Sequence, residues 1–431
     1  MEKELREILT AGLEAADPRE AVLRFLSVEG ERIVAEDASF EAERVFVLSV
    51  GKAAPAMAGA AEELLGDRIS GGLVVTKEGH ETPLEKLETA VASHPQPDER
   101  SVEAARRVAE FVEPLGEGDL LIALVSGGAS ALLADPAPGI GLEELASLNG
   151  ALLRSGASID EINAVRKHIS VLKGGGLVRL AAPAKVLALL LSDVVGDDLS
   201  SIGSGLTVPD PTTLAEVRKV LTKYDLEPPE SIAKHLEKGE ETPKPGDPAF
   251  EGVSNVLVGG GRLSAEAAAE KARALGYSPL LLSTYLTGDA RTVAATYAAV
   301  IREVLESGNP VAPPCALVSG GEATVVVRGD GVGGPNQEFA LALAVELEEV
   351  EDWAAFAVDT DGNDGPTDAA GGLVTGATAS RVREGGADPE EALANNDSRE
   401  VLERAGALLI TGPTGTNVND LRVALVSGDR R

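Results

Sequence analysis

Short apolar runs recur along the chain, separated by stretches that are amphipathic or rich in alanine. In the first half, the runs occupy residues 44–50, 72–76, 119–125 and 185–192. They show little polar alternation, which is typical of strands buried on both faces of a parallel sheet. Helical patterns at 53–65 and 99–111 separate them. This order predicts an α/β fold whose largely parallel or mixed sheets are flanked by helices.

A break in this rhythm predicts two domains. Residues 226–252 combine proline, glycine and charge, a composition typical of a boundary loop. The strand pattern then resumes at 253–258. We therefore expect a Rossmann-like N-terminal domain at 1–240 and a C-terminal α/β domain at 246–431, with an active-site cleft between them.

One short motif follows an apolar run in each half of the chain. Its copies are Ser126-Gly127-Gly128 and Ser319-Gly320-Gly321. Each copy predicts a turn at the carboxyl end of a strand, which is where ligands bind in open parallel sheets. Glycine lets the backbone approach a ligand there, and free N–H groups can bind an anion. Two ordinary turns that match by chance are the alternative.

The net charge of the chain excludes some classes of binding partner. Its 431 residues include 38 Lys and Arg against 70 Asp and Glu, a formal net charge of −32. Such a surface repels phosphate backbones and anionic lipids, so we expect no nucleic-acid and no membrane partner. Adaptation to high salt and adaptation to heat both remain open as reasons for this acidity.

Other features of the chain predict a cytoplasmic protein. The N-terminus lacks the apolar core of a signal peptide, and the run 186–191 is far shorter than the ~20 residues of a membrane helix. The single cysteine, Cys315, lies in an apolar run and predicts a small core residue in a reducing compartment.

Two basic segments are candidates for anion binding in so acidic a chain. Lys52 follows a buried run at the start of a predicted helix, where anions bind. On a second predicted helix, one face would carry Asn163, Arg166, Lys167, Ser170 and Lys173. These cations suit phosphate or carboxylate, although solvated surface residues would give the same pattern.

Carboxylates follow later apolar runs. Asp193, with Asp197 behind it, suits a general base, a metal ligand or a helix cap. Residues 359–368 crowd Asp361 and Asp364 among other acids and glycines. They resemble an EF-hand only superficially, because Asp364 occupies the position that requires glycine. Near bound phosphates these acids could hold Mg²⁺, and they are also ordinary turn formers.

Longer motifs resemble those of the class II glycerate kinases. They occupy residues 51–54, 126–130, 163–170, 173–175, 192–197, 319–322, 336–338 and 361–368. The last of them, together with 412–420, resembles the C-terminal domain named MOFRL. The match keeps its order across nearly the whole chain.

The resemblance implies transfer of the γ-phosphoryl group of ATP to D-glycerate, giving 2-phosphoglycerate, with Mg²⁺ or another divalent cation. It also implies two α/β domains around a cleft without a P-loop, and it leaves a homodimer as one option. Many relatives carry Arg where Pro335 stands, so a cation expected to face the phosphates is missing here.

Within that mechanism, each candidate residue takes a role. Lys52 would bind an anionic group, and Asp193 would orient or deprotonate the attacking hydroxyl. Arg166 and Lys173 would bind the substrate carboxylate or the γ-phosphate. The remaining substrate- and nucleotide-binding candidates are Ser126, Gly127, Gly128, Ser130, Asn163, Ser319, Gly320, Gly321, Glu322 and Asn336. The metal candidates are Asp361 and Asp364, with Asp197 as a third.

Two other functional classes remain as alternatives. Gly259 to Ser264 nearly match the dinucleotide fingerprint, but Ser264 replaces its third glycine. A nicotinamide-dependent hydroxypyruvate reductase would use that segment, and some members of the family have been named so. A non-catalytic metabolite sensor would use the same anion-binding turns without turnover.

Overall fold

A computed structural model describes residues 1–428 and divides the chain into two compact units. The N-terminal unit consists of Pro18–Ser192 and Asp197–Val258. The C-terminal unit consists of Met1–Asp17, Asp193–Gly196 and the described residues from 259 onward. This division differs from the predicted boundary between 240 and 246.

Apolar packing explains the difference. Helix α1 (Glu2–Ala15) buries Leu5 and Ile8 in one cluster with Ala265 and Ala268, so the first helix belongs with the C-terminal unit. Conversely, Val256 and Val258, predicted to open the second domain, lie in the core of the N-terminal unit.

The N-terminal unit alternates strands and helices. Its helices are α2 (Pro18–Phe25), α3 (Ala54–Leu65), α4 (Glu99–Val112), α5 (Ala129–Leu132), α6 (Leu142–Arg154), α7 (Ile159–His168), α8 (Gly176–Ala181), α9 (Leu214–Lys223) and α10 (Glu230–Glu237). Its strands are β1 (Leu26–Glu29), β2 (Arg32–Ala35), β3 (Ala38–Phe40), β4 (Arg44–Val50), β5 (Ile69–Lys77), β6 (Glu88–Ala92), β7 (Asp119–Val125), β8 (Lys185–Leu191) and β9 (Val253–Gly259). Strands β1 to β3 form a small antiparallel sheet of their own.

The main sheet of this unit has the order β6-β5-β4-β7-β8-β9. Strand β4 pairs in parallel with both β5 and β7, with Val50 opposite Val75 on one side and Val125 on the other. The chain therefore builds outward from β4 in one direction and then returns to its other side with β7. The carboxyl ends of β4 and β7 thus form a topological switch point, where ligands bind in open α/β sheets.

The C-terminal unit contains a mixed sheet. Its further helices are α11 (Gly261–Ala274), α12 (Ala290–Ser307), α13 (Pro335–Glu346), α14 (Thr378–Glu384), α15 (Pro389–Ala394) and α16 (Ser398–Arg404). Its strands are β10 (Ser278–Asp289), β11 (Cys315–Thr324), β12 (Trp353–Asp359), β13 (Gly371–Thr375), β14 (Leu408–Leu409) and β15 (Asp420–Val426). The order is β10-β11-β15-β12-β13-β14, in which β10 and β11 are parallel and the other pairs are antiparallel.

Helices cover both faces of this mixed sheet. On one face, α12 and α13 share an apolar cluster with the sheet, and on the other face α1 and α11 do so. The predicted α/β class with parallel or mixed sheets is therefore confirmed. Cys315 is fully buried at the start of β11, as expected of a core residue. No helix within residues 1–428 is long and apolar enough to cross a membrane.

Candidate active site

The first Ser-Gly-Gly motif forms the predicted turn at the switch point. Beyond β4, the Lys52 amide donates to the Gly127 carbonyl at 2.9 Å, and the Ser126 hydroxyl accepts from the Ala53 amide at 3.2 Å. Gly51 has a φ of 135°, and a Cβ there would lie 2.1 Å from Ser126 Oγ. Only glycine therefore allows the ends of β4 and β7 to approach so closely.

Two amides of this turn are available to a ligand. Within residues 1–428, the N–H groups of Gly127 and Gly128 have no hydrogen-bond acceptor. Gly127 is nevertheless buried, and an unpartnered buried amide is unusual in a folded protein. The turn is therefore suited to bind anionic oxygen atoms.

Basic side chains surround the same turn. A Cβ on Gly128 would lie 3.1 Å from the ring of His94 and 3.2 Å from Cγ of Lys52, so both side chains contact it. Burial, followed by the charges of Lys52 and Lys77, lowers the pKa of His94 to about 4. His94 is therefore neutral near pH 7. Lys52 itself has no carboxylate partner in the described part of the chain.

A cavity of about 420 Å³ opens beside this turn. Ser130 on α5, Arg166 on α7 and Asn149 on α6 line it, together with apolar side chains. The Arg166 guanidinium donates from Nε to Asn149 Oδ1 at 3.1 Å, and burial lowers its pKa. No acidic group pairs with Arg166 among the residues that the structure describes. An anionic ligand would therefore relieve an unfavourably buried charge.

Lys173 also lines the cavity, but unlike Arg166 it has an acidic partner. Its ammonium group is paired with Asp135 and donates to the Leu133 carbonyl at 2.5 Å. Asp135 also accepts from the Ser170 hydroxyl and from the Leu172 amide. Lys173 thus fixes the segment after α7, and its charge is already neutralised.

The predicted helix face from Asn163 to Lys173 does not exist as one surface. Helix α7 ends at His168, so Ser170 and Lys173 lie beyond it. Asn163 and Lys167 are buried, and Lys167 forms an ion pair with Asp210 at 3.3 Å. Of the predicted cations on this face, Arg166 is the one without an acidic partner among the described residues.

The second Ser-Gly-Gly motif is not a turn. Ser319, Gly320 and Gly321 lie inside β11, where they pair with Arg422, Leu421 and Asp420 of β15. Their backbone lies within the sheet, so the predicted turn does not form at this motif. The Ser319 hydroxyl is buried and accepts from the Tyr297 hydroxyl at 2.5 Å. Gly321, at a φ of 120°, permits a close approach of Leu286.

Carboxylates cluster at one end of the mixed sheet. Burial, followed by the charges of Asp361, Asp420 and Asp364, raises the pKa of Asp359 to about 8. Burial also raises the pKa of Asp364 to about 6. The pKa of Glu322 is raised by burial and by Asp420 and Asp193, which places Asp193 in the same acidic surroundings.

Asp364 has a structural task within this cluster. Its carboxylate accepts from the amides of Asn336 and Gln337 at 3.0 and 2.8 Å, at the N-terminus of α13. The Asn336 side chain bridges Asp364 and Asp420, donating from Nδ2 at 3.2 and 2.6 Å. Pro335 occupies the first position of α13, where proline is favoured. Asp364 and Asn336 therefore anchor this helix.

The predicted metal ligands Asp361, Asp364 and Asp197 do not all lie in one unit. Asp197 belongs to the N-terminal unit, whereas Asp361 and Asp364 belong to the C-terminal unit. Within residues 1–428, no group of three or more His, Cys, Asp or Glu side chains is arranged to hold a metal ion. Mg²⁺, however, is commonly bound by one or two carboxylates together with substrate phosphates. The buried Oδ1 of Asn336, which has no described partner, and the crowded carboxylates fit such a partial set.

Three residues of these sites were missed from the sequence. His94 follows β6 by two positions, but a lone histidine gives no spacing signal. Asp359 ends an apolar run, much as Asp193 follows one, and Asp420 begins one. A carboxylate at either edge of an apolar run was the available signal.

The glycine-rich segment after β9 does not have the arrangement of a dinucleotide site. Ser264 is buried within α11, and its hydroxyl donates to the Gly12 carbonyl at 2.9 Å. The third position of the fingerprint thus packs α11 against α1. Arg262 pairs with Glu266 on the same helix at 3.4 Å.

Comparisons with known proteins place the chain in a family. Residues 4–237 match the model of a domain of unknown function, DUF4147, and residues 315–420 match the MOFRL family. The chain is 44% identical to a D-glycerate 2-kinase of Thermotoga maritima, over 97% of each chain. It is 43% identical to an Agrobacterium vitis protein named "Putative hydroxypyruvate reductase", over 98% of this chain and 94% of that one.

A solved structure agrees with this assignment. The crystal structure of a glycerate kinase from Thermotoga maritima matches with a TM-score of 0.90 and 43% identity, covering 98% of this chain and 99% of that one. The chain therefore belongs to the glycerate 2-kinase family, with the DUF4147 domain in its N-terminal half and the MOFRL region in its C-terminal half.

Proposed function

We propose that this protein transfers the γ-phosphoryl group of ATP to the 2-hydroxyl of D-glycerate, giving 2-phosphoglycerate. The observation that carries the proposal is the turn at the switch point. There, the unpaired Lys52 and the free amides of Gly127 and Gly128 meet in a chain with a net charge of −32. Membership of the glycerate 2-kinase family supports the same reaction.

The N-terminal unit would bind the anionic groups of the substrates. Phosphoryl transfer depends mainly on positioning and on neutralising charge. Lys52 and the turn at Ser126 to Ser130 would bind phosphate oxygens, and Arg166 would bind a second anionic group. Neutral His94 would hold Lys52 against the turn without adding a second positive charge. Lys173 would act indirectly, by fixing the segment after α7.

The C-terminal unit would supply carboxylates. Asp193 would orient or deprotonate the attacking hydroxyl. Its charge, after burial and the charge of Asp420, raises the pKa of nearby Glu322. Mg²⁺ would be held by Asp361 together with the phosphates of ATP, and it would neutralise their charge. Asp364 and Asn336 would hold the N-terminus of α13 at this end of the sheet. A cytoplasmic location would supply ATP and keep Cys315 reduced.

One assay tests this proposal against both alternatives. The purified protein is incubated with D-glycerate and MgATP, and phosphorus NMR identifies the phosphorylated carbon. A 2-phosphoglycerate signal is expected. Oxidation of NADH by hydroxypyruvate without ATP would instead establish a reductase, and binding of glycerate without turnover would establish a sensor.

A substitution at Lys52 tests the site itself. Lys52→Ala should lower kcat by about 10²–10³-fold, the usual cost of removing one group that stabilises transition-state charge. Lys219, an exposed lysine on α9, provides the matched control, and Lys219→Ala should leave kcat unchanged. Equal activity in the two variants would remove Lys52 from the mechanism.

A further inference from the structure

The cavity of the N-terminal unit is larger and more apolar than D-glycerate requires. Its volume of about 420 Å³ lies within the range of about 300–1,000 Å³ that is typical of ligand pockets. D-glycerate is a three-carbon acid whose carboxylate and hydroxyl groups all need hydrogen bonds. The walls, however, include Ala131, Leu145 and Ala146. Glycerate would leave most of this apolar surface uncovered.

An exposed leucine marks the rim of the cavity. Leu153 lines the cavity and is 63% exposed, which is high for a large apolar side chain. Pro95 and Pro97 contribute further apolar surface. A flat ring that entered the cavity would cover these side chains.

Two amide side chains provide polar contacts among these walls. Asn149 accepts from Arg166 through Oδ1, so its amide nitrogen remains available, and Gln96 also lines the cavity. Neither the Asn149 nitrogen nor the Gln96 side chain has a hydrogen-bond partner within residues 1–428. Side-chain amides pair well with the donor and acceptor groups on the edge of a purine.

The cavity continues directly from the anion-binding turn. Pro95 follows His94, and Ser130 lies two residues after Gly128; both Pro95 and Ser130 line the cavity. We infer that this cavity holds the purine ring and ribose of the phosphoryl donor, with the phosphates directed to Arg166 in the cavity wall and to the turn at Gly128. The inference rests on the proposed function for the donor being a nucleotide, but its test does not require turnover.

The test compares a nucleotide with a triphosphate that has no base. Calorimetry measures the Kd of ATP and of inorganic tripolyphosphate, each with Mg²⁺ and without glycerate. Ala146 is exposed and lines the cavity, so Ala146→Trp should fill it without disturbing the core. We expect this variant to weaken ATP binding about tenfold or more, while tripolyphosphate binding stays within about twofold.

Two further variants complete the test. Ser147, the exposed neighbour on α6, does not line the cavity, so Ser147→Trp should bind ATP as the wild type does. Leu153→Ser should weaken ATP binding by a smaller factor than Ala146→Trp.

Several outcomes would overturn the inference. They are unchanged ATP binding in Ala146→Trp, an equal loss for tripolyphosphate, an equal loss in Ser147→Trp, and a wild type that binds no ATP. A rise in the KM of glycerate alone would assign the cavity to glycerate. If the wild type binds ATP through this cavity but does not phosphorylate glycerate, the proposed function fails and this inference stands.

Discussion

The close approach of β4 and β7 can be tested by adding one methyl group. In Gly51→Ala, the new Cβ would lie 2.1 Å from Oγ of Ser126, 2.6 Å from its carbonyl oxygen and 2.8 Å from its carbonyl carbon. Rotating the Ser126 side chain removes only the first clash. The backbone of the turn must therefore move, and Lys52 must move with it.

The structure sets the size of the effect. A side chain at a φ of 135° is strained by about 1–3 kcal/mol. Separating the strands also weakens two bonds of 2.9 Å, from the Ser126 amide to Val50 and from the Lys52 amide to Gly127, each worth about 0.5–1.5 kcal/mol. We expect Gly51→Ala to lose about 2–6 kcal/mol of unfolding free energy.

Gly246 is the matched control. Its φ is 93°, and a Cβ there would meet no atom within 4 Å. Gly246→Ala should therefore lose only the unfolding free energy that backbone strain costs, about 1–2 kcal/mol. Urea unfolding followed by circular dichroism measures both losses, and kcat/KM should fall at least about tenfold in Gly51→Ala alone.

Two results would refute this reasoning. Equal stability and equal kcat/KM in Gly51→Ala and Gly246→Ala would show that the turn is not tightly packed. Recovery of activity in Gly51→Ala when Ser126→Ala is added would show that the hydroxyl alone clashes, and that the strand ends have room to separate.

Two further predictions concern the buried charges. The pKa of Asp359 is about 8 in the folded chain and 3.8 ordinarily, so its contribution to stability is complete below pH 3.8 and is lost as the pH rises to about 8. Asp359→Asn should therefore raise the unfolding temperature at pH 8 and leave it unchanged near pH 4. An equal shift at both pH values would contradict the raised pKa of Asp359. Arg166→Met should weaken ATP binding about tenfold by calorimetry, whereas Arg154→Met, at the exposed end of α6, should not; equal affinity would exclude Arg166 from phosphate binding.

Local pattern was sufficient for β4, β7 and β8 of the N-terminal sheet because these strands are apolar on both faces. The strands around Ser126 were predicted within a residue or two, and the turn there followed from strand, glycine and helix in sequence. The same Ser-Gly-Gly sequence at Ser319 gave a wrong prediction of a turn, because a strand ends where its neighbouring strands end. At Ser319, both β10 and β15 continue alongside β11, so the two glycines remain within the paired strand.

Burial of the basic side chains could not be predicted from local periodicity. Lys167 and Lys173 were predicted to share an anion-binding helix face with Arg166, because helical spacing places them beside it. Their partners, Asp210 and Asp135, are 43 and 38 residues away in sequence, and only the fold brings them together. Arg166 has the same local spacing and no such partner, so its availability is likewise a property of the fold.

The two units carry electrostatic perturbations of opposite sign, which argues for ligand binding in each. In the N-terminal unit, burial and neighbouring lysines lower the pKa of His94, so further positive charge is unfavourable there. In the C-terminal unit, burial and neighbouring acids raise the pKa of Asp359, so negative charge is unfavourable there. Ion pairs within each unit would have removed these costs, as Asp135 does for Lys173. Phosphate bound in the N-terminal unit and a divalent cation bound in the C-terminal unit would each relieve the local cost.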